Sequence, residues 1–153
     1  MTKNEYHDEI LLMETNIDDM TGENFGFLLN FLMDSGALDV YYTSAYGKKN
    51  RPLYILSLMI PVDKEEYFAK IIFKYSSTAG IRIKKIDRII MNREIIQVNF
   101  DGFIINIKKL SYYDIVKYYP EWDNCVEIAK KINSTPEDVY NRAILLLKKG
   151  SEI

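Results

Sequence analysis

The feature that most constrains this chain is a switch from strand to helix period and back that occurs twice between residues 9 and 90. Ile10, Leu11, Leu12 and Met13 run together without helical continuation and lead into Asn16-Ile17-Asp18-Asp19, so Glu9–Thr15 is predicted to be a short buried strand. From Thr21 the apolar residues Phe25, Leu28, Leu29, Leu32 and Met33 recur at i, i+3, i+4, i+7 and i+8, and Gly36 supplies a left-handed stop. This spacing predicts a helix over about 21–35. Leu38–Tyr46 and Leu53–Ile60 are rich in β-branched, aromatic and apolar residues, and the segment Gly47-Lys48-Lys49-Asn50-Arg51-Pro52 joins them as a hairpin. Asp63 with Glu66 three residues on resembles a capping box, and Tyr67, Phe68, Ile71, Ile72 and Tyr75 mark the apolar face of a second helix running to about Ser76. After Ser77-Thr78-Ala79-Gly80, Ile81 and Ile83, then Ile86, Ile89 and Ile90, predict a long strand with a bulge where the alternation shifts.

The resulting order, βαββαβ, is that of an α+β, ferredoxin-like core. Short connections and right-handed crossovers then set two helices on one face of a four-stranded antiparallel sheet. This subdomain is assigned to residues 1–92. Arg93–Phe100 and Phe103–Leu110 flank Asp101-Gly102, a strong hairpin signal. Pro120 at a first helical position opens a helix bearing Cys125, Ile128, Ala129 and Ile132. Ser134 or Thr135 before Pro136 opens another, bearing Val139, Tyr140, Ala143, Leu146 and Leu147 and ending near Gly150. Residues 93–153 therefore form a ββαα appendage, and no fixed-period repeat or low-complexity tract suggests an array.

Composition decides where function is to be sought. With 48% hydrophobic and 27% charged residues, the 153-residue chain has the makings of a folded domain. Its net charge of -2 gives no global attraction to nucleic acid or anionic membrane, so any anion site rests on a local cluster. The seven phenylalanines and twelve tyrosines fall in no RNA-recognition signature. Residues 1–9 lack the basic and apolar regions of a signal peptide, and no apolar run reaches membrane-spanning length, so a cytoplasmic protein is expected. Cys125 and His7 are the sole residues of their kinds, which leaves no internal disulfide and no His/Cys metal cluster. A metal here needs carboxylates, phosphates or a ligand's own sulfur atoms.

Four constellations remain. Glu14, Asn16, Asp18 and Asp19 lie where the first strand turns into the first helix, where Asp18 and Asp19 suit either a hard cation such as magnesium or the helix N-terminus. Lys48, Lys49 and Arg51 on the hairpin turn suit a polyphosphate, although a solvated turn has the same composition, and the turn lacks the ending of a Walker loop. Ser77, Thr78, Gly80 and Arg82 suit an anion nest or a helix C-cap before an edge strand. In Tyr119-Pro120-Glu121-Trp122, the Trp122 ring offers a stacking surface or a core side chain.

Taken together, Glu14-Thr15-Asn16-Ile17-Asp18-Asp19-Met20-Thr21-Gly22-Glu23, Gly36-Ala37-Leu38-Asp39-Val40, Lys48-Lys49 with Arg51-Pro52, Thr78 with Gly80-Ile81-Arg82, and Pro120-Glu121 with Cys125 resemble the C-terminal half of the LarC nickel-insertion family. The resemblance extends from about Ile10 to Gly150. It implies a CTP-dependent cyclometallase of the lyase class that inserts nickel into pyridinium-3,5-bisthiocarboxylic acid mononucleotide, forming Ni–S and Ni–C bonds of the nickel-pincer nucleotide. It further implies that magnesium or manganese accompanies the CTP, that the protein forms homo-oligomers, and that a histidine-rich, nickel-supplying domain or subunit precedes this region. No catalytic residue is assigned by the resemblance. It makes Asp18 and Asp19 candidate metal ligands, Lys48, Lys49 and Arg51 candidate triphosphate contacts, and Arg82 and Glu121 further nucleotide-binding candidates. The family's basic turn usually reads Met-Lys-Lys-Gly-Arg-Pro-Gly; here Gly47, Asn50 and Leu53 replace its Met and its two glycines. A nucleotide-binding or assembly module without catalytic activity is the alternative, because fold alone does not fix function.

Overall fold

In the computed structural model, which describes residues 6–150, seven strands and four helices fall into two units: His7–Ile89, and Tyr6 together with residues 90–150. The first unit runs β1 (His7–Ile17), α1 (Gly22–Asp34), β2 (Asp39–Tyr46), β3 (Pro52–Pro61), α2 (Glu65–Tyr75) and β4 (Arg82–Ile89). Its sheet order is β2-β3-β1-β4 with every neighbouring pair antiparallel, as the predicted ferredoxin-like core requires.

Strand β1 is central, and its alternate residues Leu11, Met13, Thr15 and Ile17 are all buried. They meet Leu56, Leu58 and Ile60 of β3, with Phe25, Leu28 and Leu32 of α1 and Phe68, Ile71 and Ile72 of α2 closing the core. Each fully buried side chain of this size contributes about 1.5–3 kcal/mol. The buried Thr15 hydroxyl donates to the Gly80 carbonyl at 2.8 Å, which leaves Thr78 to donate to Thr15 at 2.5 Å. A polar group in the core is thereby satisfied, and the loop before β4 is tied to β1.

Two local expectations for this unit are corrected. β4 carries no bulge where it meets β1: the pairing is continuous from His7 opposite Ile89 to Glu14 opposite Arg82. Most of the β4 side chains are exposed, Ile89 at 66%, so its hydrophobic pattern carries little information about facing. Asp63 does not cap the second helix. It lies in a 3-10 turn, Val62–Lys64, and Lys64 occupies the N-cap position of α2 without a side-chain cap bond.

The second unit holds β5 (Asn92–Phe100), β6 (Phe103–Tyr112), β7 (Ile115–Pro120), α3 (Trp122–Ile132) and α4 (Pro136–Gly150). The strands pair in that order around a core of Phe100, Ile105, Ile107, Cys125, Ile128, Ala129, Val139 and Ala143. Asp101 and Gly102 both have positive φ, as a two-residue hairpin turn of the primed type requires. The appendage is βββαα, because β7 escapes a reading based on turn residues. Its turn, Tyr113-Asp114, places a tyrosine at φ 49°, where glycine or asparagine is the usual signal. Pro120 ends this strand instead of opening α3, and the last position of an edge strand suits a residue with no amide hydrogen. Thr135 does open α4, accepting from the Asp138 amide at 3.1 Å.

The β2–β3 hairpin closes through a strained turn. The Gly47 amide donates to the Arg51 carbonyl at 2.8 Å, and Lys49 and Asn50 between them take φ of 59° and 56°. Asparagine tolerates this left-handed region, but a lysine there costs about 1–2 kcal/mol. A Cβ on Gly47 would stand 2.5 Å from Leu53 Cδ2, so a larger residue at 47 requires the end of the Leu53 side chain to move. The departures of Gly47 and Leu53 from the family's usual pattern adjoin one another in space.

Two measurements test this account. Gly47→Ala is expected to lose about 1 kcal/mol by forcing Leu53 from its rotamer, and Leu53→Ala in the same chain should remove that loss; a urea-unfolding double-mutant cycle with no coupling would refute it. Across β1 and β4, Arg88 Nε and Nη2 donate to Asp8 Oδ1 at 3.0 Å and Oδ2 at 2.6 Å. Hydrogen bonding to Arg88, aided by its charge, holds the Asp8 carboxyl below the usual aspartate range. The folded-state value is thus the lower one, so this stabilisation is present above the unfolded value of about 4 and fades as pH falls through the folded value. Arg88→Gln should reduce the acid-side fall in melting temperature below about pH 4; an unchanged pH profile would show that the pair does not couple to folding.

Candidate functional site

The short segment between β1 and α1 divides the surface of the first unit. Thr21 caps α1, its Oγ1 accepting from the Asn24 amide at 3.3 Å, so the capping hydrogen bond that the sequence left open to Asp18 or Asp19 comes from elsewhere. Both aspartates are exposed. Consecutive residues of this loop face different clefts.

Asp18 lines a cleft of about 370 Å³ with Asn16, Gly47, Lys48, Lys49, Arg51 and Leu53. The three cations that the sequence placed on the hairpin turn and the carboxylate at the end of β1 therefore share one depression. The left-handed turn at Lys49 and Asn50 folds the segment back so that Lys48, Lys49 and Arg51 front the same space, and backbone strain of this kind concentrates at functional sites. Arg82 reaches the rim from β4, donating through Nη2 to Asn16 Oδ1 at 2.8 Å. A second cleft of about 370 Å³ adjoins the first, sharing Asp18 and Leu53, and is lined mainly by Met20, Ala45, Tyr46, Pro52 and Tyr54. One polar, cationic cleft beside one more apolar cleft suits a ligand with a phosphate tail and a flat ring.

Asp19 belongs to other surroundings. Its Oδ1 accepts from the Ser77 hydroxyl, and it lines a cleft of about 470 Å³ with Met20, Asn24, Phe27, Lys74, Tyr75, Ser76 and Ser77. Ser77, Thr78 and Gly80 do not form a free anion nest: the first two hydroxyls serve Asp19 and Thr15, and the Gly80 carbonyl accepts from Thr15. Glu121 lies in the second unit, at the N-cap position of α3, 3.9 Å from Arg93 Nη2. Trp122 is no core residue; it is 55% exposed beside Tyr140. The buried Cys125 thiol is pushed up in pKa by desolvation, which disfavours a thiolate.

Gly47, Leu53, Tyr46 and Phe27 are lining residues that sequence reading did not select. Gly47 and Leu53 were legible only as departures from a motif, because the contact between them depends on the turn conformation. No helix among the described residues is long and apolar enough to cross a membrane.

Comparisons with known proteins place the chain in a family. The model of the nickel insertion protein family matches residues 1–140. A pyridinium-3,5-bisthiocarboxylic acid mononucleotide nickel insertion protein from Acetivibrio thermocellus is 39% identical over 153 residues, covering 98% of this chain and 38% of its own length. Its counterpart from Lactiplantibacillus plantarum is 32% identical over 145 residues, covering 95% of this chain and 34% of its own. The chain thus spans well under half the length of these relatives. Among solved structures, LarC2, the C-terminal domain of a cyclometallase involved in synthesis of the NPN cofactor of lactate racemase, in its apo form, matches with a TM-score of 0.82 and 32% identity, covering 93% of this chain and 99% of that one. A protein from Methanopyrus kandleri, at 20% identity and a TM-score of 0.65 over 90% of this chain and 87% of its own, shares the fold. On the strength of the match over residues 1–140, the chain belongs to the nickel insertion protein family.

Proposed function

We propose that this chain is the nucleotide-binding part of a nickel-inserting cyclometallase of the lyase class, which uses CTP to insert nickel into pyridinium-3,5-bisthiocarboxylic acid mononucleotide and so builds the nickel-pincer nucleotide. The observation that carries this reading is the meeting of Asp18 with Lys48, Lys49 and Arg51 in one cleft. Arg51 offers a planar fork matched to phosphate oxygens, and the two lysines add point charges. Arg82, already engaged with Asn16 at the rim, adds charge from β4. The adjoining apolar cleft, bounded by Tyr46, Pro52 and Tyr54, suits the pyrimidine end of the same nucleotide.

The donor set also fits magnesium or manganese arriving with the nucleotide. Among the described residues no three His, Cys, Asp or Glu side chains stand close enough to hold an ion by themselves. Asp18 offers one carboxylate, and magnesium commonly takes one or two carboxylates together with substrate phosphates. When bound, such an ion neutralises phosphate charge. Asp18 would orient it, while the basic turn holds the phosphates and Leu53 walls both clefts. Asp19, facing the neighbouring cleft, is the weaker ligand candidate. Glu121, paired with Arg93 in the second unit, is a nucleotide contact by family resemblance alone. Nickel is cargo in this scheme, supplied by an N-terminal domain or subunit, in keeping with a chain that spans 38% of its Acetivibrio thermocellus relative. The same reading includes homo-oligomerisation, for which Ile95 and Ile104, exposed at 50% and 54% on the second sheet, offer apolar surface.

Thermal shift and calorimetry test this function. CTP with magnesium should raise the melting temperature more than ATP or GTP at equal concentration, because a ligand bound to the native state stabilises it by mass action. Equal shifts for the three would remove the cytidine assignment. Asp18→Asn should lower magnesium-dependent CTP affinity at least tenfold, about 1.4 kcal/mol, with the melting temperature of the free protein within about two degrees of the parent. Lys49→Ala should weaken CTP with or without the metal. Undiminished binding in both variants would mean that the cleft is not the triphosphate site.

A further inference from the structure

The cleft on the Asp19 side of the loop is separate from the basic one, and its lining differs in kind. It is the most spacious of the clefts described above, at about 470 Å³, within the range of small-molecule sites. Phe27 is 53% exposed beside it. The Phe27 ring is fixed by Phe31, stacked at 5.8 Å and 12° between planes, and by Tyr75 at 5.6 Å. Lys74 Nζ lies 5.1 Å from the centre of the Tyr75 ring, at the same edge. Asp19 is held by the Ser77 hydroxyl, and Asn24 adds an amide from the first turn of α1. An aromatic face, an anchored carboxylate and a lysine together match three features of one ligand class: a flat ring, a positive charge on that ring, and a phosphate.

We propose that the cleft formed by Asp19, Phe27, Lys74 and Tyr75 binds the pyridinium mononucleotide, with its ring face against Phe27, the positively charged ring nitrogen toward Asp19 with the anionic ring substituents directed away from it, and its phosphate toward Lys74 and Asn24. This assignment rests on the proposed function and extends it to a second substrate. Asp18 and Asp19 are neighbours in sequence, about 3.8 Å apart at Cα, yet they line different clefts, and Met20 lines both this cleft and the apolar one beside the basic turn. The β1–α1 loop is then a partition with a nucleoside triphosphate on one side and the aromatic mononucleotide on the other. Two ligands held so close gain the proximity that chemistry using both requires.

The test is isothermal calorimetry on this chain with nicotinic acid mononucleotide, a stable pyridinium carboxylate mononucleotide, and separately with magnesium CTP. Phe27→Leu, which keeps apolar bulk but removes the ring, and the exposed-site variant Lys74→Ala should each weaken nicotinic acid mononucleotide by at least about fivefold and leave CTP within about twofold. Lys49→Ala should do the reverse. The proposal is overturned if the unsubstituted protein fails to bind nicotinic acid mononucleotide, if both cleft variants bind it undiminished, or if they lose CTP in parallel, since that would make the cleft part of the CTP site. Loss of the mononucleotide in Phe27→Leu and Lys74→Ala, with CTP indifferent to both Lys49→Ala and Asp18→Asn, would uphold this site while removing the triphosphate assignment.

Discussion

The antiparallel pairing of β1 with β3 on one side and β4 on the other is the constraint on which the first unit depends. Its eight pairs on each side satisfy the backbone of the strand along most of its length. The same pairing puts Leu11, Met13, Thr15 and Ile17 on the helix-facing side, where a slip of one residue would turn all four to the other face. The candidate site inherits this precision. Asn16, Asp18 and Asp19 leave the end of a strand whose register is fixed by its core residues, so the carboxylates occupy determined positions although they are themselves exposed.

The basic turn is held by a different balance. Left-handed backbone at Lys49 and Asn50 is locally unfavourable, and the Gly47–Arg51 bond with the fit of Leu53 over Gly47 offsets it. The return is electrostatic: three cations face one carboxylate across a single cleft. In the absence of an anionic ligand such like charges repel one another, which is why a fold maintains such a turn only when the surrounding hairpin over-determines it.

The two aspartates illustrate how little sequence adjacency says about function. A strand residue and its neighbour point to opposite faces, and the loop after β1 keeps that divergence, with Asp18 toward the basic turn and Asp19 toward Ser77 and the aromatic cleft. The chain belongs to the nickel insertion protein family, and the proposed function and its extension give the clefts on either side of this loop one reactant each.

The sequence alone determined the element order of the first unit, because hydrophobic period is a local property: an apolar run at Ile10–Met13, a 3.6-residue stripe from Phe25 and a second one from Tyr67 each announce themselves within a few residues. It also marked the cations and carboxylates of the basic cleft, since charge clusters and motif order are visible without coordinates. Tertiary structure decided the rest. The exposed edge strands β4 and β7 bury too little to leave a clear pattern, so the unbroken register of one and the existence of the other appeared only through pairing. Thr21 rather than an aspartate capped α1, Gly47 and Leu53 proved to be one steric unit, and Asp18 and Asp19 parted into separate clefts. These outcomes depend on contacts between residues brought together by the fold, or on the direction a loop takes, and no local propensity encodes them.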